Sequence, residues 1–332
     1  MFRRLLSATL LLTTFGASAA ELRVLTHSSF SVDKKLIAEF EAQNAAKVSV
    51  IKAGDAGEML NKLILTKSAP IADVVYGIDN LLVAKATDAD VLVKPTPVKS
   101  PKQAFSEYLT TVDYGLVALN YDKAYVSEHK LVLPKSLDDF TKPQFKDLLV
   151  VENPATSSTG LAFMMATVHH LGKAKAWAFW GKLKANGVKV TQGWSDAYEK
   201  EFSKNGGTRP FVVSYSTSPS AEVFYSEGKL SVPPTDNLFV PGSYFMQAEG
   251  IGLVKGGKEA QLAGKFIQFM VSKSVQADLP TNMWMYPVRE DVVLDKTFSF
   301  ATLPTKLTKP VVPKSGKEVQ QLVAEWQKLM RP

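Results

Sequence analysis

The strongest constraint on the fold is an alternation of short apolar segments with amphipathic ones. Segments 22–26, 47–52 and 72–77 have the composition of buried strands, and each is followed by a stretch with helical spacing of its apolar residues. Strands that alternate with helices form a mostly parallel sheet, because each helix carries the chain back to start the next strand. The N-terminal third is therefore predicted to be α/β, and its ligands are expected beyond the carboxyl ends of the strands.

The alternation resumes further along the chain. Segment 112–121 reads as a long strand, which we expect to cross into a second lobe, and 246–254 as a strand that returns from it. Shorter strands are predicted at 148–151, 188–190 and 211–213. A length of 332 residues allows two domains, each large enough to bury its own core. The predicted first lobe is 21–112 with 243–290, and the second is 113–242 with 291–332.

The stretch 211–219 changes character in its middle. After the buried strand at 211–213, Ser218 precedes Pro219, a pattern typical of a helix start at which the serine hydroxyl caps free backbone N–H groups. Hydroxyl groups at the junction of a strand and a helix N-terminus form a pocket suited to an anionic group. The simpler interpretation, a capped helix without a ligand, remains equally open.

The first twenty residues are predicted to be a secretory signal peptide. Arg3 and Arg4 precede an apolar run at 5–15, and small residues follow at 16–20, with cleavage expected near Ala19 and Ala20. This predicts a periplasmic protein. The sequence contains no cysteine, which excludes disulfide bonds, a lipid anchor on cysteine and a cysteine nucleophile.

Several other functions are poorly supported. His169 and His170 are adjacent on a predicted helix and cannot face one metal, while His27 and His129 are isolated, so we expect neither a metal nor a cofactor. The net charge of +7 comes from lysines spread along the chain, which does not favour nucleic acid as a partner. No Gly-x-Ser-x-Gly or phosphate-loop motif is present.

Six short segments stand out in collinear order, and a return segment follows the fifth. The six are DVVYGIDN (73–80), DYG (113–115), TSSTG (156–160), GWSDAY (193–198), SYSTSP (214–219) and NMWMYPV (282–288), and the return segment is EGIGLVKG (249–256). The return segment resembles the solute-binding proteins of ABC importers, and the six segments together resemble the thiamine-binding proteins of that class. The resemblance implies a two-lobed, type II periplasmic-binding-protein fold with lobes hinged by crossing strands. It also implies a monomer that binds thiamine, thiamine monophosphate or thiamine diphosphate and delivers it to a membrane permease.

By matching position, the resemblance implies ligand contacts from both lobes. The implied contacts are Asp55, Ala56, Ser157, Ser158, Trp194, Tyr215, Ser216, Thr217 and Ser218. This chain departs from the family pattern at three positions: it has His27 in place of an aromatic residue, Ala56 in place of glycine and Ala221 in place of tyrosine. Two interpretations stay open: the aromatic packing around the pyrimidine is thinner here, or Tyr225 or Trp284 supplies the missing contact.

The chemistry of thiamine agrees with these residue types. A cationic thiazolium and an aminopyrimidine favour flat aromatic faces and a carboxylate, while phosphates favour hydroxyl and backbone N–H groups. Each residue also has a structural interpretation: Trp194 or Trp284 could be core, Asp55 a turn residue, and the hydroxyl groups helix caps.

Two alternatives stay open at this point. The ligand could be another small cation or a phosphorylated metabolite. Enzymes that act on thiamine or its precursors share the architecture, but they depend on a catalytic cysteine that this chain lacks, so we predict no catalysis.

Overall fold

The computed structural model describes residues 19–94, 103–305 and 309–331. The predicted signal peptide therefore lies outside the described residues except for its last two positions, and Ala20 already belongs to the first strand. Within the described ranges, no helix is both long enough and apolar enough to span a membrane.

The strands occupy both ends and the middle of the chain. They are β1 (Ala20–Thr26), β2 (Ala46–Lys52), β3 (Val74–Asp79), β4 (Leu92–Val93), β5 (Thr110–Asp122), β6 (Leu149–Glu152), β7 (Lys189–Thr191), β8 (Phe211–Tyr215), β9 (Thr235–Leu238), β10 (Phe245–Val254) and β11 (Tyr286–Pro287).

Ten α-helices within the described residues connect or follow these strands. They are α1 (Lys34–Asn44), α2 (Ala56–Leu65), α3 (Val83–Asp88), α4 (Lys123–Glu128), α5 (Ser158–Leu171), α6 (Lys173–Ala185), α7 (Ser218–Tyr225), α8 (Ala260–Met270), α9 (Lys273–Asn282) and α10 (Gly316–Met330). A short π-helical segment spans Asp196–Glu201, and 3-10 turns lie at Leu137–Thr141, Pro143–Phe145, Ser203–Asn205 and Lys296–Phe300.

The main run of the sheet has the order β2-β1-β3-β10-β5-β8-β6-β7. The three strands at each end, β2-β1-β3 and β8-β6-β7, are parallel, as the alternation predicts. The two central strands, β10 and β5, are antiparallel to each other and to their outer neighbours. These long strands therefore join the two parallel halves, in the place predicted for the crossing strands.

The halves are covered by helices, and their buried residues are mainly aliphatic and aromatic. One cluster joins β1 and β3 to α1, α8 and α9 and contains Phe40 and Phe266, whose rings meet edge to face. A larger cluster extends along the opposite face and includes Trp180 of α6 and Trp326 of α10. With no disulfide available, this packing carries the stability of the fold.

The final helix, α10, packs against both halves of the molecule. Trp326 of α10 meets Trp180 of α6 edge to face. Glu325 of α10 accepts hydrogen bonds from Lys173 Nζ and Trp177 Nε1, which are also on α6. At its other end, the Gly316 N–H donates to Asp88 of α3 at 3.1 Å. The predicted lobe boundaries, which give 291–332 to the second lobe alone, stay a prediction.

Most predicted strands and helices are confirmed, but the predicted cap of α7 is wrong. The helix begins at Ser218, so Ser218 and Pro219 are its first residues, and the preceding Thr217 makes no side-chain cap bond. The Ser218 hydroxyl instead lies 2.9 Å from Ser214 Oγ, and Thr217 Oγ1 donates to the Trp284 carbonyl at 2.6 Å. Both hydroxyl groups therefore bind neighbouring segments instead of the helix end.

Candidate ligand-binding site

A cavity of about 910 Å3 opens between the two halves of the sheet. Its walls come from loops that follow the carboxyl ends of parallel strands, as expected for an α/β protein. The first half contributes His27, Ser28, Asp55 and Glu249, and the second contributes Ser158, Trp194, Tyr198, Tyr215, Thr217 and Ser218, while Met283 and Trp284 border it from the segment after α9.

Asp55 connects the two sides of the cavity. It precedes α2, and its Oδ1 accepts a hydrogen bond from the Ala56 N–H at 2.7 Å, which is the turn role that its sequence position allows. Its Oδ2 accepts from the backbone N–H of Trp194, on the opposite side, at 3.1 Å. The carboxylate is therefore both a helix cap and a contact across the cavity.

Backbone groups also meet across the gap. The Glu58 N–H donates to the Thr156 carbonyl at 3.1 Å. A Cβ built on Gly57 would lie 2.7 Å from the Thr156 carbonyl group, so only glycine allows this approach. The two sides are thus in direct contact beside the cavity, which is a closed arrangement.

Trp194 lies on the second side and is held by its neighbours. Its indole stacks on Tyr198 with ring centroids 5.0 Å apart and an angle of 14° between the planes. Its Nε1 donates to Ser214 Oγ at 2.7 Å, and that hydroxyl contacts Ser218. These contacts fix the orientation of the indole at the edge of the cavity.

His27 and Glu249 form the charged floor of the cavity. Their relative exposures are only 7% and 3%, so neither charge is solvated by bulk water. His27 Nε2 lies 3.7 Å from Glu249 Oε2. The imidazole sits against Gly77, where a Cβ would come within 2.3 Å of the ring, and the ring centroid lies 5.6 Å from that of Tyr76.

A chain of hydrogen bonds runs through Glu249 beneath the floor. Tyr76 OH lies against Asp113 Oδ2 in a short contact and 3.2 Å from Glu249 Oε2. Gln247 Nε2 donates to Glu249 Oε1 at 3.3 Å, and Gln247 Oε1 accepts from Tyr215 OH at 3.0 Å. The chain therefore extends from Asp113, behind the cavity, to Tyr215 on the second side.

The two carboxyl groups of this hydrogen-bond network, Asp113 and Glu249, differ in the direction of their pKa shifts. Burial and the charge of Glu249 raise the pKa of Asp113 well above its ordinary value. Burial also acts to raise the pKa of Glu249, but the charge and contact of His27, with Tyr76, lower it below the ordinary value. Tyr76 OH donates towards both carboxyl groups, and the opposite shifts of their pKa values make Asp113 the one that holds a proton more readily and Glu249, beside His27, the one that ionises more readily.

The pKa of His27 is shifted in the complementary direction. Burial acts to lower it, but the charge of Glu249 raises it above the ordinary value, with a smaller contribution of the same sign from Asp55. A protonated imidazole next to an ionised carboxylate makes the floor a neutral pair.

The predicted hydroxyl groups separate into two sets. Ser158, Thr217 and Ser218 line the cavity, Ser158 as the first residue of α5. Ser157 and Ser216 do not line it: Ser157 Oγ caps α5 and contacts Thr159, and Ser216 is fully buried.

Ala56 is buried in the first turn of α2 and does not line the cavity either. The predicted ligand contacts at Ala56, Ser157 and Ser216 stay predictions.

Trp284 lies in an aromatic group at one edge of the cavity. Its indole stacks on Phe298 with centroids 5.5 Å apart, and its Nε1 donates to Tyr225 OH at 3.0 Å. Both Trp284 and Tyr225, the two residues expected to replace the missing family aromatic, line the cavity.

Sequence reasoning did not single out Glu249 as a candidate ligand contact. The sequence shows Glu249 only as part of the returning strand, yet it lines the cavity. The available signal is an acidic side chain in the middle of a buried strand, since a charge there requires a partner. Within the described residues, no group of three or more histidine or acidic side chains is placed to hold a metal.

Comparison with known proteins identifies the family. Residues 69–306 match a family profile described as bacterial extracellular solute-binding protein. This chain belongs to that family. Among its relatives is a thiamine-binding periplasmic protein of Salmonella typhimurium, 31% identical over 99% of both chains. A protein of the same description from Escherichia coli is also 31% identical over 99% of both.

Solved structures place this solute-binding protein among the two-lobed, type II periplasmic-binding-protein folds. A periplasmic thiamin binding protein superposes with a TM-score of 0.79 at 28% identity, covering 95% of this chain and 97% of that one. Iron-bound HitA from Pseudomonas aeruginosa superposes with a TM-score of 0.69 at 18% identity, covering 92% and 99%, which shows the shared fold alone. The predicted fold class is confirmed, and the two sides of the cavity are walls of its lobes.

Proposed function

We propose that this solute-binding protein captures thiamine or its phosphates between its lobes in the periplasm and delivers them to the permease of an ABC importer. The observation that carries the proposal is the contact of Asp55 with Trp194 across the cavity, where the Trp194 backbone N–H donates to Asp55 Oδ2 at 3.1 Å. A carboxylate from one lobe and an indole from the other are what a flat, cationic heterocycle requires. Two relatives of matching length, both named as thiamine-binding, support the choice.

The cavity supplies the remaining chemistry of the ligand. Asp55 and Glu249 offer carboxylates for the amine and the ring cation, while Trp194 offers an aromatic face. Ser158 lies at the N-terminus of α5, whose 14 residues give it a favourable dipole for a hydroxyl or phosphate tail. We propose these residues as contacts together with Tyr215, Thr217, Ser218, Trp284 and His27.

Binding is proposed to close the lobes. β5 and β10 are the long strands expected to pass between the lobes, and the ligand would stabilise the closed state by contacting both walls. The protein would act as a monomer and without catalysis, in keeping with a solute-binding family and with the absence of cysteine.

Isothermal titration calorimetry with thiamine, thiamine monophosphate and thiamine diphosphate tests the proposal. We expect one-to-one binding of at least one of them. 2-Aminoethylphosphonate is the comparison ligand, because a putative binding protein for it is 28% identical over 57% of this chain. Heat with the phosphonate and none with any thiamine compound would overturn the assignment.

Export is tested separately. We expect the intact mass of protein purified from the periplasm to correspond to a chain that starts near Ala20 or Glu21. A retained N-terminus would contradict the predicted signal peptide.

A further inference from the structure

Glu249 is the most deeply buried carboxylate that lines the ligand cavity, with 3% relative exposure. Tyr76 and Gln247 approach its two oxygens, but both are neutral groups. The positive charge nearest to it in the structure is the His27 imidazole, when protonated, at 3.7 Å. An ionised carboxylate this deeply buried requires a counter-charge, so the state of His27 decides whether Glu249 is compensated.

His27 is held in place without being committed to Glu249. The ring is fixed against Gly77, whose φ of +99° and missing side chain make room for it. Yet Nε2 makes no hydrogen bond within the described residues, because 3.7 Å is too long for one. The imidazole therefore compensates Glu249 through charge, while Glu249 remains open to a better-placed cation from the cavity.

We propose that Glu249 is a specificity-determining carboxylate of the ligand site and that a cationic ligand replaces the His27 proton as its counter-charge. This inference rests on the proposed function, since it takes the thiazolium of thiamine as the cation. When the ligand arrives, His27 gives its proton to the solvent and becomes neutral, and the ring cation occupies the field of Glu249. One positive charge enters the cavity and one leaves, so the buried floor stays neutral.

The groups around His27 fit this exchange. The groups that act on His27 are Glu249 of β10, Asp55 before α2, Lys52 at the end of β2 and Tyr76 of β3. Glu249 itself also faces Asp113, Tyr215 and Asp79, and burial raises the pKa of Asp79 to about 7, so its titration is common to the wild type and to His27→Gln. Lys52 is exposed to solvent, and its charge acts to lower the pKa of His27, while both carboxylates act to raise it. A second cation beside a protonated His27 would be repelled, whereas one beside a neutral imidazole would face two carboxylates.

The direction of the pH effect follows. Below the pKa of His27 in the ligand-free protein, a proton must leave for each cation that binds, so affinity rises with pH by up to about tenfold per unit. Above that pKa the affinity levels off. A side chain at this position that does not titrate between pH 5 and 9 would not produce this dependence.

The test is calorimetry of the complete mature chain with thiamine from pH 5.5 to 8.5, each point in two buffers of different ionisation enthalpy. We expect the wild type to gain at least tenfold in affinity across this range and to release a fraction of a proton per thiamine bound. His27→Gln should bind with a nearly flat pH profile. Comparison with this variant removes the titration of thiamine itself, because the same ligand is used.

Two further variants control the result. His129→Gln removes an exposed histidine at the end of α4 and should keep the wild-type pH profile. Glu249→Gln should lose at least tenfold in affinity at pH 8, and its His27 should titrate at lower pH by NMR in the ligand-free protein. Equal pH profiles for wild type and His27→Gln, with no proton released, would overturn this inference alone, whereas the absence of heat at every pH would overturn the proposed function.

Discussion

The two walls of the cavity differ in what they offer a ligand. The first-lobe wall carries charge, with Asp55, Glu249 and His27 close together. The second-lobe wall carries Trp194 and Tyr215, together with hydroxyl groups. The first wall places two carboxylates beside a histidine. The second offers an indole and a phenol ring for stacking, and its nearby carboxylate Glu222 already accepts a hydrogen bond from Tyr198 and faces Lys204.

The difference between the two walls explains why a bound ligand favours the closed state. A ligand that needs both charge compensation and stacking gains the full set of contacts only when the walls meet, so its binding energy favours the closed state. Electrostatic attraction to the first wall acts over a longer distance than stacking on the second. We therefore expect the charges of the first wall to determine which ligands enter the cavity, and stacking on the second wall to determine how slowly the ligand dissociates.

The largest expected effect comes from Asp55→Asn. It removes the negative charge of this carboxylate and replaces one of its two acceptor oxygens with an amide nitrogen. The hydrogen bond from either the Trp194 N–H or the Ala56 N–H is then lost. We expect thiamine affinity to fall about a hundredfold, since hydrogen bonds to charged groups contribute about 1.5–3 kcal/mol. Calorimetry gives the dissociation constant.

The matched control for that change is Asp90→Asn. Asp90 pairs with Lys255 on the surface and has a positive φ that asparagine tolerates, so the same charge is removed without touching the cavity. An equal loss of affinity in both variants would attribute the effect to net charge and contradict a specific role of Asp55.

Removal of the second wall's main ring is expected to have a somewhat smaller effect. Trp194→Ala eliminates stacking and cation–π contact, each worth about 0.5–2 kcal/mol, so affinity should fall about 10- to 50-fold. Tyr125→Ala is the control, because Tyr125 lies on α4 and its ring stacks on His129 outside the cavity. Unchanged thiamine affinity in Trp194→Ala would contradict the role assigned to this wall.

The smallest expected effect comes from separating the walls without altering either. Gly57→Ala places a Cβ within 2.7 Å of the Thr156 backbone across the gap, while alanine favours the helix in which it sits. We expect the fold to be kept and thiamine affinity to fall about tenfold, with a larger radius of gyration of the thiamine-bound protein by small-angle scattering.

Gly264→Ala provides the comparison for this prediction. Gly264 also lies inside a helix, α8, but a Cβ there would meet no atom within 4 Å. It should bind thiamine normally and be slightly more stable. Full closure and full affinity in Gly57→Ala would show that this contact between the walls is dispensable.

The sequence predicted the framework of the fold well because local pattern determines it. Buried strands and their following helices have distinct periodicities, and β1 to β3 with α1 to α3 follow them closely. Three helices were not predicted. The six-residue α4 is too short to show a helical period, and in α6 a mixed series of lysine, alanine and tryptophan gives little amphipathic contrast. The third, α9, contains Pro280, which normally indicates a helix end.

The site was harder to predict because it depends on which way each side chain turns. Asp55 and Trp194 were expected on opposite lobes, and the structure brings them into contact. Ser157 and Ser218 both stand where a helix start is predicted, but the first caps a helix and the second faces the cavity. Glu249 is visible in the sequence as an acidic residue in a buried strand, but its partners follow from the place of β10 between β3 and β5, a pairing that no local pattern specifies.

The helix α10 has a consequence for how the lobes can separate. Its C-terminal half contacts α6 through an indole pair and two hydrogen bonds to Glu325. Its N-terminal end packs on α3, where the Gly316 N–H donates to Asp88 and a Cβ on Gly316 would lie 2.6 Å from the Lys85 backbone. A helix held at both ends opposes the separation of α3 from α6, so opening must break its packing at one end. The contacts of α10, a helix of fifteen residues, then determine how readily the ligand-free protein opens.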